Sequence, residues 1–258
     1  MLNINFKNNK DLDFIMYFYY LKSNNILNNY NNLFSNEEKG QIYNIMSKFN
    51  TISIELINEV KNKELYKKAY DEITHTNKYK DYLKETKNYR DKVIGSYNNK
   101  KELILGYLNS VNKSEINENI DFYLVNPSCY QGSSNMKERF AVFGSEKGTY
   151  KGDMNYALVY IVHETLHLLY PYNRFISDDL DFEDYRYRAD IIHKTIEYIA
   201  DRDLAIILSG KEYPQHEHLD YISEEFYNDY KKYLESNEYN NLFEFINACI
   251  NKEKTLNR

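Results

Sequence analysis

Proline is nearly missing from this chain of 258 residues, with 3 in all, and glycine is sparse at 8. Counts this low exclude collagen-like and linker-rich designs and argue against an all-β protein of many tight turns. Cysteine is as scarce. Cys129 and Cys249 are too few and too far apart for a disulfide framework or a thiolate zinc cluster. The apolar run Phe14 to Leu21 falls far short of the ~20 residues that span a bilayer. The opening Met-Leu-Asn-Ile-Asn-Phe-Lys lacks the basic-then-apolar pattern of an export leader. Positive charge is in deficit too, at a net −6, so the whole chain is no electrostatic match for a polyanion. The expectation is a cytoplasmic protein that binds neither membrane nor nucleic acid.

What is present is globular. The chain is 42% hydrophobic, 16% aromatic and 28% charged, which is ample to bury a core and excludes wholesale disorder. The 28 tyrosines, with many Asn and Lys, read as codon bias and carry no functional weight. Residues 61–101 hold 11 Lys and 1 Arg against 6 acids, a net of +6. The acids are spread among them and no nucleic-acid reader motif accompanies them, so this is a solvated helix face.

Residues 2–6 alternate as a short strand does, and the pattern from Asp11 to about Val111 is helical. Candidate helices run over Asp11 to Leu21, Glu37 to Phe49, Ser53 to His75 and Tyr79 to Leu108. The character changes after Asn119. Ile120 to Val125 and Arg139 to Phe143 are rich in aromatic and β-branched residues and flank turn chemistry, which predicts a hairpin or small sheet. A strongly apolar helix follows from about Asp153 to Tyr170, stopped by Pro171, and a long helix spans about Asp184 to Leu208 and closes at Gly210. Helices near Leu219 to Leu234 and Asn240 to Ile250 complete the chain. The expected fold is α+β and predominantly helical. Residues 1–119 form a helical N-terminal part and residues 120–258 carry the chemistry.

That chemistry centres on His163-Glu164-Thr165-Leu166-His167. Residues four apart share a helix face, so two imidazoles converge there on one metal. Glu164, about 100° round the axis, stays out of direct ligation but within reach of a metal-bound water. Composition alone gives roughly 0.01 chance matches to H-E-x-x-H in this chain. The surrounding Leu158, Val159, Ile161, Val162, Leu166, Leu168 and Leu169 make it a buried helix, where two His and a Glu are costly without a purpose. A third ligand must come from elsewhere. The long helix offers Asp190, His193, Glu197 and Asp201 on one stripe. Glu197 is the favoured ligand, with Asp201 taking the second N–H of a ligating histidine. His193 and Glu183 are the other candidates.

On these motifs, His163-E-x-x-His167 followed by Glu197-Tyr-Ile-Ala-Asp201, the chain resembles the gluzincin metallopeptidases over about residues 141–210. Tyr170 and Asn173 stand where metzincins have Gly and His, so that class is excluded. The resemblance implies a zincin-like fold with a small sheet. It also implies a Zn2+ cofactor held by His163, His167 and Glu197, and hydrolysis of a peptide or protein substrate with Glu164 as base. Tyr185, Tyr187, Tyr213, His216 and His218 are candidates to stabilise the oxyanion, with His216 and His218 expected in a loop reaching the cleft. Phe140 to Phe143 is the candidate edge strand for a substrate. Two other readings stay open: a zinc hydrolase of a non-peptide amide, and an inactive scaffold used for binding or regulation. The acidic run Asp178 to Asp184 lacks the glycine and terminal Glu of a calcium loop, and no nucleophile elbow or phosphate loop is present.

Overall fold

In the computed structural model, which describes residues 1–23, 34–47, 52–128, 132–144, 152–176, 180–213 and 224–252, helices predominate and one small sheet accompanies them. Strand β1 (Asn3–Lys7) leads into α1 (Lys10–Ser23), whose start is capped by Asn9 Oδ1 accepting from the amides of Asp11 and Leu12. Helix α2 (Asn36–Ser47) opens on a reciprocal cap. Ser35 Oγ accepts from the Glu38 amide while Glu38 Oε2 accepts from the Ser35 amide, which satisfies two otherwise orphaned donors.

The single helix expected over Ser53 to His75 is two, α3 (Ile54–Lys61) and α4 (Glu64–Ile73). Lys63 is extended at ψ 139 between them; hydrophobic periodicity continues across such a kink and cannot reveal it. Helix α5 (Asn77–Asn112) runs for 36 residues. Then come β2 (Asn119–Leu124), β3 (Gly132–Asn135) and β4 (Phe140–Phe143).

The sheet order is β1-β2-β4-β3, with β2 and β4 parallel and β3 antiparallel to β4. Of the two arrangements expected for these runs, a hairpin or a small sheet, the small sheet forms: β2 and β4 lie side by side in the same direction, and the hairpin is β3–β4. Arg139, with φ 57, makes the tight return into β4. Strand β4 is no edge. Both its sides are paired and all four residues are buried, so it has no free ladder to offer a substrate. That corrects the expectation for Phe140 to Phe143. Their apolar run suits an interior strand covered on both faces.

The chain divides into two compact units, each of which takes residues from both sides of position 119. One unit comprises residues 4–96 and 120–154. Its core is an aromatic cluster in which Phe14 meets Phe18, Tyr66, Tyr70 and Tyr79 edge-on. Arg90 pairs with buried Asp13 and donates from Nε to the Leu124 carbonyl at 2.6 Å. The other unit comprises residues 1–3, 97–119 and 155–258. It contains nearly all of α6 (Met154–Leu169), then α7 (Phe182–Glu197), a π-helical stretch (Tyr198–Leu204), α8 (Ala205–Ser209), α9 (Glu224–Glu235) and α10 (Leu242–Lys252). Helix α6 buries every residue from Tyr156 to Leu169. At about 1.5–3 kcal/mol for each large apolar side chain, it anchors this unit. Helix α7 starts on Asp181, whose side chain accepts from the Asp184 amide, and the run ends at Gly210 with φ 77. Among the described residues no helix is long and apolar enough to cross a membrane.

Candidate metal centre

The local sequence explains why polar groups sit in α6. Leu158, Val159, Ile161, Val162 and Leu166 bury the rest of the helix, and one stripe remains for Tyr156, Tyr160, His163, Glu164 and His167. Those residues recur at three- and four-residue steps, one above another on a helix. His163 and His167 point their Nε2 atoms at each other across 3.2 Å. Two nitrogens bound to one tetrahedral metal at about 2.0–2.1 Å stand about 3.3 Å apart.

A third ring completes the arrangement. His193 of α7 has its ring centre 5.3 Å from that of His163 and 4.9 Å from that of His167, and the first two are 4.9 Å apart. The ring planes are inclined to one another by 61°, 66° and 64°. Three imidazoles on a tetrahedral ion have centres about 5 Å apart. One nitrogen from each ring forms a set whose members all lie within 4.8 Å of one another. The donors fit a metal.

The neighbours fix the rings. Asp201 Oδ2 lies 2.9 Å from His163 Nδ1, and the Tyr172 hydroxyl lies 3.2 Å from His193 Nδ1. When Nδ1 carries the hydrogen and gives it to such an oxygen, Nε2 keeps its lone pair for a metal. The Tyr172 ring also meets His167 edge-on at 5.8 Å, and the Tyr160 ring stacks on His163 at 5.7 Å. Tyr160 hydrogen-bonds through its hydroxyl to Glu164. Burial and then that carboxylate hold the Tyr160 phenol far above its usual range, so it stays a donor.

Glu197, favoured by the sequence as third ligand, stands next to the set. Its Oε1 is 3.8 Å from His193 Nε2, and its Oε2 takes the Lys194 ammonium at 3.1 Å. Oε1 is buried and accepts no hydrogen bond among the described residues. Burial pushes the Glu197 carboxyl up and Lys194 only partly opposes it. His163 is subject to the reverse balance. Burial works against its charged form, yet Asp201, Glu164 and Glu197 together outweigh that and raise it. Glu164, Glu197 and Asp201 are three buried carboxylates around three imidazoles, and Lys194 is the ammonium paired with Glu197. A cation held by the three imidazoles would lie among these carboxylates and favour their charged forms.

Glu183 is exposed in the first turn of α7, ten residues before His193, about 15 Å along the axis. Tyr185 is exposed, while Tyr213 is fully buried with its amide on the Asp201 carbonyl at 2.7 Å. His216 and His218 lie outside the described residues, as does Cys129. Tyr160 and Tyr172 were not singled out by sequence. The four-residue step from Tyr160 to Glu164 is a signal that could have found the first. Nothing marks Tyr172 among 28 tyrosines.

The Asp201 contact yields one expected result. Asp201→Asn should weaken metal binding by about 10–100-fold, the scale for lost partners of ligating histidines. Competition against a chelator of known affinity measures it, and wild-type affinity in the variant would assign Asp201 no part in the centre.

Comparison with protein-family models, with curated proteins and with solved structures found no match.

Proposed function

We propose that this chain is a metal-dependent hydrolase of peptide bonds, a zinc peptidase of zincin-like build. In this reading His163, His167 and His193 hold the ion, and Glu164 is the base. The observation that carries the reading is the triangle of imidazoles, with centres 4.9–5.3 Å apart, beside a buried glutamate one residue from the first ligand. Three protein ligands and an open position are the arrangement of catalytic zinc, whereas structural zinc sites are closed by four. Bound there, a divalent cation supplies a Lewis acid for a carbonyl oxygen and lowers the pKa of water towards ~7.

The chain's own groups do the rest. Glu164 takes the proton of the attacking water and returns it to the leaving nitrogen. Tyr160 holds that carboxylate from one turn back. Asp201 and the Tyr172 oxygen keep Nδ1 of His163 and His193 protonated, so that both rings bind through Nε2. Glu197, anchored by Lys194, places negative charge beside His193. The reading keeps the H-E-x-x-H helix and the acidic second helix of the gluzincin resemblance and changes one donor, with His193 in place of Glu197.

That change is testable. His193→Ala should weaken zinc binding far more than Glu197→Ala, both measured by chelator competition. The opposite order would return the third position to Glu197. For the function, the full chain should cleave members of a peptide library, with products identified by mass spectrometry. Treatment with a chelator should abolish cleavage and added zinc should restore it. Cleavage indifferent to the chelator would overturn the reading.

A further inference from the structure

The stretch Tyr198–Leu204 is π-helical and begins immediately after Glu197. In an unbroken α-helix Asp201 would sit roughly 80° round the axis from His193. An i→i+5 stretch takes up an extra residue per turn and swings the side chains beyond it back, which is why such stretches accompany functional sites. Here Asp201, inside the stretch, meets His163 at 2.9 Å while His193, two turns earlier, meets the same ring. The widening thus lets one helix run supply both a ring and the carboxylate that orients its neighbour.

A widened turn is rarer than α-helix, and its carbonyls retain lone pairs open to outside donors. Two are taken. The Tyr107 hydroxyl of α5 donates to the Ile199 carbonyl at 3.1 Å, and the Tyr213 amide donates to the Asp201 carbonyl at 2.7 Å. Tyr107 also pairs with Tyr230 of α9, whose hydroxyl reaches Asp203 Oδ2 at 3.3 Å. Tyr107 is thus the hydroxyl that touches the backbone of the stretch ahead of Asp201, whereas Tyr230 meets the stretch only through the Asp203 side chain.

We propose that Tyr107 is a positioning residue for the metal centre: its hydroxyl, on the Ile199 carbonyl, holds the helix in the widened form that sets Asp201 against His163. The effect on metal binding rests on the reading of the site given above; the effect on the Asp201–His163 contact does not. Tyr107→Phe keeps the ring and removes the donor, and Tyr230→Phe is the control, since it also deletes a buried hydroxyl but leaves the Ile199 carbonyl capped.

The test has two arms on the 258-residue chain. In metal-free protein, NMR of the histidine side chains should show His163 with a protected Nδ1–H in wild type and Tyr230→Phe. In Tyr107→Phe that signal should be lost or exchange-broadened. With zinc, chelator competition should show Tyr107→Phe weakened about 10–100-fold, the range for lost supporting hydrogen bonds, and Tyr230→Phe within about threefold of wild type. An unchanged His163 signal in Tyr107→Phe overturns the proposal, as does a zinc affinity no lower than that of Tyr230→Phe. A wild type that binds no zinc, yet loses the His163 signal on Tyr107→Phe, supports the positioning role and contradicts the metal reading alone.

Discussion

Glu164→Gln should leave zinc content and thermal stability close to wild type while cleavage of the best peptide substrate falls by a factor on the order of 10² or more. The reason is local. Glu164 is buried on the stripe that carries His163 and His167, and Tyr160 donates to it. Glutamine matches its shape and accepts the same Tyr160 hydrogen bond through its amide oxygen, so packing survives. It cannot take a proton from water, and a loss of 10² corresponds to about 2.7 kcal/mol of transition-state stabilisation. Turnover of matched wild-type and variant samples on one identified peptide measures the effect. Equal turnover would remove Glu164 from the chemistry and favour a binding or regulatory role for the scaffold.

The second large effect is on stability. Without a cation, His163, His167, Glu164, Glu197 and Asp201 are polar groups buried among apolar side chains, with Lys194 as the ammonium paired to Glu197. A ligand that binds only the folded state stabilises it by mass action, about 4 kcal/mol at a thousand times its dissociation constant. Zinc in that excess should therefore raise the melting temperature of wild type well above that of the chelated protein. In His167→Ala the zinc-dependent part of the increase should vanish, because a ligating nitrogen is gone. Calorimetric scans with and without zinc check both statements. A zinc-dependent increase that persists in His167→Ala would place the binding elsewhere in the chain.

The centre was partly legible in the sequence because half of it is local. His163, Glu164 and His167 lie within five residues of one helix, and the spacing dictates their common face whatever the rest of the fold does. The third donor was not legible in the same way. His193 and Glu197 are one turn apart on one stripe, and only packing against α6 decides which faces His163 and His167. The π stretch had no signature: Tyr-Ile-Ala-Asp-Arg-Asp-Leu continues the helical pattern without Gly or Pro, and its donors come from Tyr107, far back in the chain, and Tyr213. The boundaries of α1, α6 and α10 followed periodicity closely, whereas the break between α3 and α4 left no trace in it. Strands β1, β2 and β4 also fell where expected, but their pairing was not legible, because Ile120 to Val125 and Arg139 to Phe143 are apolar enough for either a hairpin or two parallel interior strands. Register between distant strands is a tertiary choice.

The central claim is that three histidines from two helices hold one metal ion. Its most direct measurement is elemental analysis of the 258-residue chain prepared with zinc available and without chelators, alongside His163→Ala prepared identically. The account predicts about one zinc per wild-type chain and none retained by the variant, since the proposed site needs each imidazole as a ligand. A wild type that is consistently metal-free, or a variant that keeps the full complement, would contradict it.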